Sequence, residues 1–164
     1  MPFCRNCVKW VYVLENNYSW DSGLPIREDV AFKDKTGVVR LILETGGQLT
    51  VTRGYAWDGC SPKFCFFDIL LGTPDGAVDS ETGKTKTYYA SLVHDALYQF
   101  LPEGVPVTRA EADHSFLKLM EATGFRPRLL YFAAVRLFGG LSRRITRSIR
   151  KTQGAKLLLT TVNE

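Results

Sequence analysis

The chain has little of what would make its chemistry obvious. None of Ser61, Ser91 or Ser115 stands in a Gly-x-Ser-x-Gly setting, which argues against a serine hydrolase. No phosphate-cradling glycine loop and no dinucleotide fingerprint occurs. The longest apolar runs are far too short to span a bilayer. No apolar segment follows Met1-Pro2-Phe3-Cys4-Arg5-Asn6, so no secretory signal is expected and the default compartment is cytosolic with thiols reduced. Delivery inside a virus particle stays open. From Arg126 to Lys156 there is no acid at all, while nine Arg or Lys occur. The net charge of +4 is therefore a C-terminal feature, and it points to an anionic partner there or to a solvated helix face. No aromatic residue follows Phe138, which argues against single-strand recognition by base stacking.

Cysteine is sparse: Cys4-x-x-Cys7 and Cys60-x4-Cys65. A first close pair followed by a second can hold structural zinc, but the second spacing is wide for a ribbon and no hairpin brackets it. Ordinary thiols are the expectation, with zinc on Cys4, Cys7, Cys60 and Cys65 as the alternative.

What is present reads as one globular domain over 1–164, with 45% hydrophobic residues arguing against disorder. Residues 1–54 are expected to be mainly β. Val8 to Leu14 is β-branched and aromatic, and Tyr18 to Phe32 reads as irregular around Gly23 and Pro25. Val38 to Glu44 and Leu49 to Arg53 flank Thr45-Gly46-Gly47-Gln48, a hairpin signal. Residues 55–86 are expected to be a loop region, with Phe64 to Leu71 as a short buried helix. Residues 87–151 should be helical. Thr87 to Leu101 is one helix, ended by Pro102, Gly104 and Pro106. Thr108 with Glu111 forms a capping box for a second, which Gly124 stops. Pro127 suits the first turn of a third helix, Arg128 to Phe138. A basic helix resumes at Leu141 to Lys151 with Arg143, Arg144, Arg147 and Arg150, and 152–164 is a last strand or docking tail. The expected class is α+β: a small N-terminal antiparallel sheet, an antiparallel helical hairpin, then a basic C-terminal helix.

The two hairpin helices carry the chemistry. His94 and Tyr98 are one turn apart and share a face, while Asp95 points about a hundred degrees away. Arg109, Asp113 and Phe116 share a face of the second helix. An antiparallel crossing would set Asp113 against the His94 ring, fix its tautomer and leave the other nitrogen to take a proton from water. Tyr98 would hold Asp113. Asp95 is a hard oxygen ligand, and the Tyr55 to Gly59 loop, with Asp58 as a further acid, would complete a site for calcium or another divalent cation. The plainer alternative is a core hydrogen-bond network with no chemistry.

The set Trp57-Asp58-Gly59-Cys60-Ser61-Pro62, Ala90…His94-Asp95-Ala96-Leu97-Tyr98 and Arg109-x-x-Ala112-Asp113-x-x-Phe116 resembles a phage and prophage domain family of unknown function, the one numbered thirteen fifty-three. The same His-Asp-x-x-Tyr and Ala-Asp-x-x-Phe pattern resembles the core of phospholipase A2, notably its small bacterial and parvoviral capsid forms. That resemblance implies His94 as base, Asp95 as calcium ligand, Asp113 as orienting carboxylate and Tyr98 as its support. It also implies ester hydrolysis at a membrane. Tyr55-Ala56-Trp57-Asp58-Gly59 departs from the closely spaced glycines of that group's calcium loop. The resemblances suggest a phage-related hydrolase in the host cytoplasm or the virion. The rival is a non-catalytic tail, capsid or host-interaction protein. Expected partners are a phospholipid surface or virion proteins, with nucleic acid as a third class.

Overall fold

The computed structural model describes residues 12–57, 59, 64–66, 69–71, 78–137 and 156–158, the short segments 64–66, 69–71 and 156–158 by their backbone alone. Cys4, Cys7, Asp58, Cys60 and the Arg143, Arg144, Arg147 and Arg150 helix lie outside the described residues, as does the Cys65 side chain.

The fold is α+β. In chain order the strands are β1 (Tyr12–Val13), β2 (Tyr18–Asp21), β3 (Val30–Lys33), β4 (Val39–Leu43), β5 (Gln48–Val51), β6 (Ala56–Trp57), β7 (Phe64–Phe66) and β8 (Ile69–Leu71). Helices α1 (Tyr88–Phe100) and α2 (Arg109–Ala122) follow. A third helix, α3, covers residues 128–137, and β9 (Lys156–Leu158) returns to the sheet. The main sheet is antiparallel in the order β2-β5-β4-β3-β9. The expected hairpin is β4–β5, with Leu41 opposite Val51 and Leu43 opposite Leu49, all four fully buried. That period of two gives the sheet one apolar face. The turn between them places Gly46 and Gly47 at φ 94° and 97°. A Cβ on Gly47 would sit 3.0 Å from the Leu24 carbonyl oxygen, so the backbone can approach only because the side chain is absent.

Three expectations need correction. Tyr18 to Phe32 is not irregular throughout: β2 pairs with β5 and β3 with β4, and the Gly23–Pro25 breakers only fill the connection between them. Phe64 to Leu71 is not a helix but a tight antiparallel hairpin, Phe64 opposite Leu71 and Phe66 opposite Ile69. A short apolar run cannot be assigned by period alone, and its aromatic content favours the strand. Trp57 belongs to a strand, since Ala56–Trp57 pairs with β1. The tail alternatives resolve in favour of a strand, because β9 pairs with β3, Val30 opposite Leu158.

The helices behave as their sequence signals imply. Thr108 Oγ1 accepts from the Glu111 N–H, and the Glu111 carboxylate accepts from the Thr108 N–H at 2.7 Å, the reciprocal capping box. α1 runs into a short 3-10 turn, Leu101–Glu103, and Gly104 at φ 83° ends it. α1 and α2 are antiparallel. Thr123, just past α2, donates to the Lys86 carbonyl just before α1, while Arg109 at the start of α2 bonds Tyr98 near the end of α1. Leu92, Val93, Ala96, Leu97 and Phe100 of α1 lie buried with Phe32, Leu41, Leu43, Leu49 and Val51 of the sheet, and Phe100 packs on Phe32 at a ring separation of 5.4 Å. The sheet thus fixes the inner face of α1. It leaves His94 and Tyr98, on a neighbouring stripe of that helix, turned toward α2.

Candidate functional site

Asp113 is the centre of the site. Its side chain has no exposure to solvent. A carboxylate so placed is costly unless every lone pair is met, and here the partners come from all three helices. Oδ1 accepts from Tyr98 Oη at 2.5 Å and from His94 Nε2 at 3.0 Å, both on α1. Oδ2 accepts from Arg136 Nη1 of α3 at 3.2 Å and lies 3.9 Å from Arg109 Nε, one turn back on α2. Burial by itself would push the Asp113 carboxyl upward. The bonds from His94 and Tyr98 and the nearby positive charge outweigh it and hold the group below the usual carboxylate range. Asp113 is therefore an anion at neutral pH and can only accept. The His94 Nε2 must then carry a proton, so in the neutral ring the lone pair falls on Nδ1.

Tyr98 sits between two charges. It donates to Asp113 and accepts from Arg109 Nε at 2.9 Å. Burial, then its bond to the carboxylate, pushes its hydroxyl up to about 12, with Arg109 pulling the other way, so it stays a protonated donor at any working pH. Arg109 also grips α3 through the carbonyls of Val135, at 3.1 Å, and Arg136, at 2.8 Å. The His94 ring is wedged between Tyr98, 4.1 Å away, and Phe116, 5.0 Å away. It keeps 14% of its side chain exposed. The imidazole is thus oriented, not sealed.

The three residues expected to meet, His94, Asp113 and Tyr98, are brought together. The residues expected for the cation half lie as follows. The Tyr55 hydroxyl bonds Gln99 Oε1 at 3.0 Å, and the Trp57 Nε1–H bonds Ser91 Oγ at 3.1 Å. Ser91, Asp95 and Gln99 are spaced four apart on α1, so the 55–57 segment runs along the stripe that holds Asp95. The Tyr55 carbonyl accepts the Leu14 N–H at 2.8 Å, next to the β1–β6 pairing. Gly59 is buried at φ 77° and Asp58 lies outside the described residues. Among the described residues no group of three or more His, Cys, Asp or Glu gathers to hold a metal. Asp95, on the helix stripe beside the 55–57 segment, stays the candidate ligand for a hard cation. Trp57, 2% exposed, is core.

Arg109 was placed on the Asp113 face by its sequence position but given no role, although four residues before Asp113 is the spacing of a helical ion pair. Arg136 had no local signal, because only the docking of α3 brings it to Asp113. His114, exposed, turns its Nδ1 to the Ala110 carbonyl at 2.7 Å and takes no part.

Together these features define an α+β protein built around a His–Asp pair whose carboxylate is locked by a tyrosine and two arginines. The chain belongs to the family described as protein of unknown function (DUF1353), which matches residues 39–135. That span holds β4 to the first eight residues of α3, and with them His94, Tyr98, Arg109 and Asp113 but not Arg136. No curated protein and no solved structure matches the chain.

Proposed function

We propose that His94 is a general base that activates water for ester hydrolysis, with Asp113 fixing its tautomer and Tyr98 and Arg109 fixing Asp113. The observation that carries this reading is the 3.0 Å contact between Nε2 and a fully buried, ionised carboxylate on a ring that keeps an exposed edge. A water bound at Nδ1 would lose a proton to the ring, and the imidazolium so formed would be stabilised by the Asp113 anion beside it. Phospholipid is the first substrate class to try, on the resemblance of His94-Asp95-x-x-Tyr98 and Ala112-Asp113 to phospholipase A2; a phage setting is part of the same reading. Asp95 would be the residue to hold a divalent cation. The test is hydrolysis of phospholipid vesicles, with and without calcium, by the wild type and His94→Ala. Loss of at least a hundredfold in a folded variant is expected. Equal rates in the two proteins would sink the proposal.

A second reading is favoured by a specific observation. Asp113 joins α1, α2 and α3 through His94, Tyr98, Arg109 and Arg136, which is what a structural clamp in a virion or host-interaction protein requires. Under that reading His94→Ala lowers the melting temperature, and the wild type hydrolyses no ester.

A further inference from the structure

α3 presents a face that nothing in the dyad uses. Tyr131 and Val135 point inward and are buried. On the other side Leu129, Leu130 and Leu137 are 63%, 70% and 74% exposed. At about 100° per residue, Leu129, Ala133, Leu137 and Leu130 fall within one arc of roughly 100°, with Arg136 at its edge. Isolated exposed leucines mean little, but three on one stripe form a patch. The helix and its approach carry Arg126, Arg128 and Arg136 and no acid of their own, although Arg128 pairs with Glu121 and Arg136 with Asp113. The sequence that follows, 138–156, outside the described residues up to 155, adds Arg143, Arg144, Arg147, Arg150, Lys151 and Lys156 with no acid.

We propose that the Leu129–Leu130–Leu137 face of α3 is an interfacial docking surface for an anionic phospholipid bilayer. The occupant must satisfy two demands together. It must accept leucine side chains, which a nucleic acid backbone does not. It must also be negatively charged, which a second copy of this chain is not, since a two-fold contact through this patch would set basic residues against basic residues. A bilayer carrying anionic headgroups over acyl chains meets both demands. No helix among the described residues is long and apolar enough to cross a membrane, so the contact is one of lying on the surface. The surface works whether or not His94 is catalytic. Arg136 sits at the edge of the patch and also binds Asp113, so the lipid-facing helix and the dyad are parts of one rigid arrangement.

The test is flotation of the full chain with phosphatidylglycerol vesicles and with neutral phosphatidylcholine vesicles, at low and high salt. The wild type should float with the anionic vesicles and release as salt rises. The double variant Leu130→Gln/Leu137→Gln should lose affinity about tenfold or more, since two interfacial leucines are removed. Both positions are exposed, so the fold should persist, which circular dichroism checks. His94→Ala should bind vesicles as the wild type does, separating this surface from the hydrolytic reading. Undiminished binding by the double variant would overturn the proposal, as would equal binding to neutral vesicles. So would absence of binding by the folded wild type. Leucine-dependent capture by polyglutamate without vesicle binding would reassign the patch to an acidic protein. A wild-type dimer that the double variant abolishes, again without vesicle binding, would reassign it to self-association.

Discussion

Replacing Asp113 by asparagine keeps the shape of the side chain and removes its charge. The wild-type carboxylate meets donors from His94, Tyr98 and Arg136, with Arg109 at 3.9 Å. An asparagine offers one acceptor oxygen, and its amide would confront a donor on the other side. Losing one partner of a buried ion pair costs about 3–5 kcal/mol. Arg136 and Arg109 keep 45% and 32% of their side chains exposed, so water takes up part of the freed positive charge. About 2–3 kcal/mol is expected at pH 7, and a fall in Tm of roughly 5–10 °C for a chain of this size. The pH dependence is the sharper part. The Asp113 carboxyl titrates below its unfolded value. Its contribution is therefore fully present above the ordinary carboxylate range near about 4, and it is lost as pH falls through the lower folded value. Asp29, Asp34 and Asp79 also titrate low, but they cancel between the two proteins. Urea denaturation of both across pH 7 to 3 should show a stability gap that narrows with acid. A gap that is constant with pH, or no gap at pH 7, would refute the account of Asp113 as a buried anion held by its donors.

Two further predictions test the frame around the site. Thr108→Ala removes the acceptor for the Glu111 N–H and half of the capping box; a loss of about 1 kcal/mol is expected by chemical denaturation. Gly47→Ala should cost clearly more than Gly37→Ala. Both glycines have positive φ, but an added Cβ at Gly37 meets nothing within 4 Å, whereas at Gly47 it meets Leu24 backbone at 3.0 and 3.1 Å. A difference of at least about 1 kcal/mol between the two variants is expected, and equal stabilities would contradict the close approach.

The site was legible where its signals were local. His94 and Tyr98 are one turn apart, and the Thr108–Glu111 cap fixes where α2 starts, so the facing of Asp113 and His94 followed from helix geometry. The β4–β5 hairpin was legible from its two glycines. Beyond local spacing the sequence was silent. Arg136 reaches Asp113 only because α3 folds back, and nothing near Arg136 encodes that. The apolar run at Phe64–Leu71 fits a buried helix as well as a hairpin until its partner is known. The β2 and β3 strands were obscured by the Gly23 and Pro25 that join them. Tyr55 looked like part of an open loop, and only the structure shows its carbonyl accepting the distant Leu14 N–H.

The seating of β9 beside β3 sets an order in time. β3 and its partner β4 are close in the chain and emerge early in synthesis, but the other edge of β3 meets Lys156–Leu158 only after most of the chain has followed. Until then that edge exposes unpaired N–H and C=O groups, a template for pairing with a neighbouring chain. Closing so distant a pair is also slow, because a long loop must be ordered before the contact repays it. A nascent or truncated chain therefore leaves the Val30–Lys33 edge open to a neighbouring chain until the last strand covers it.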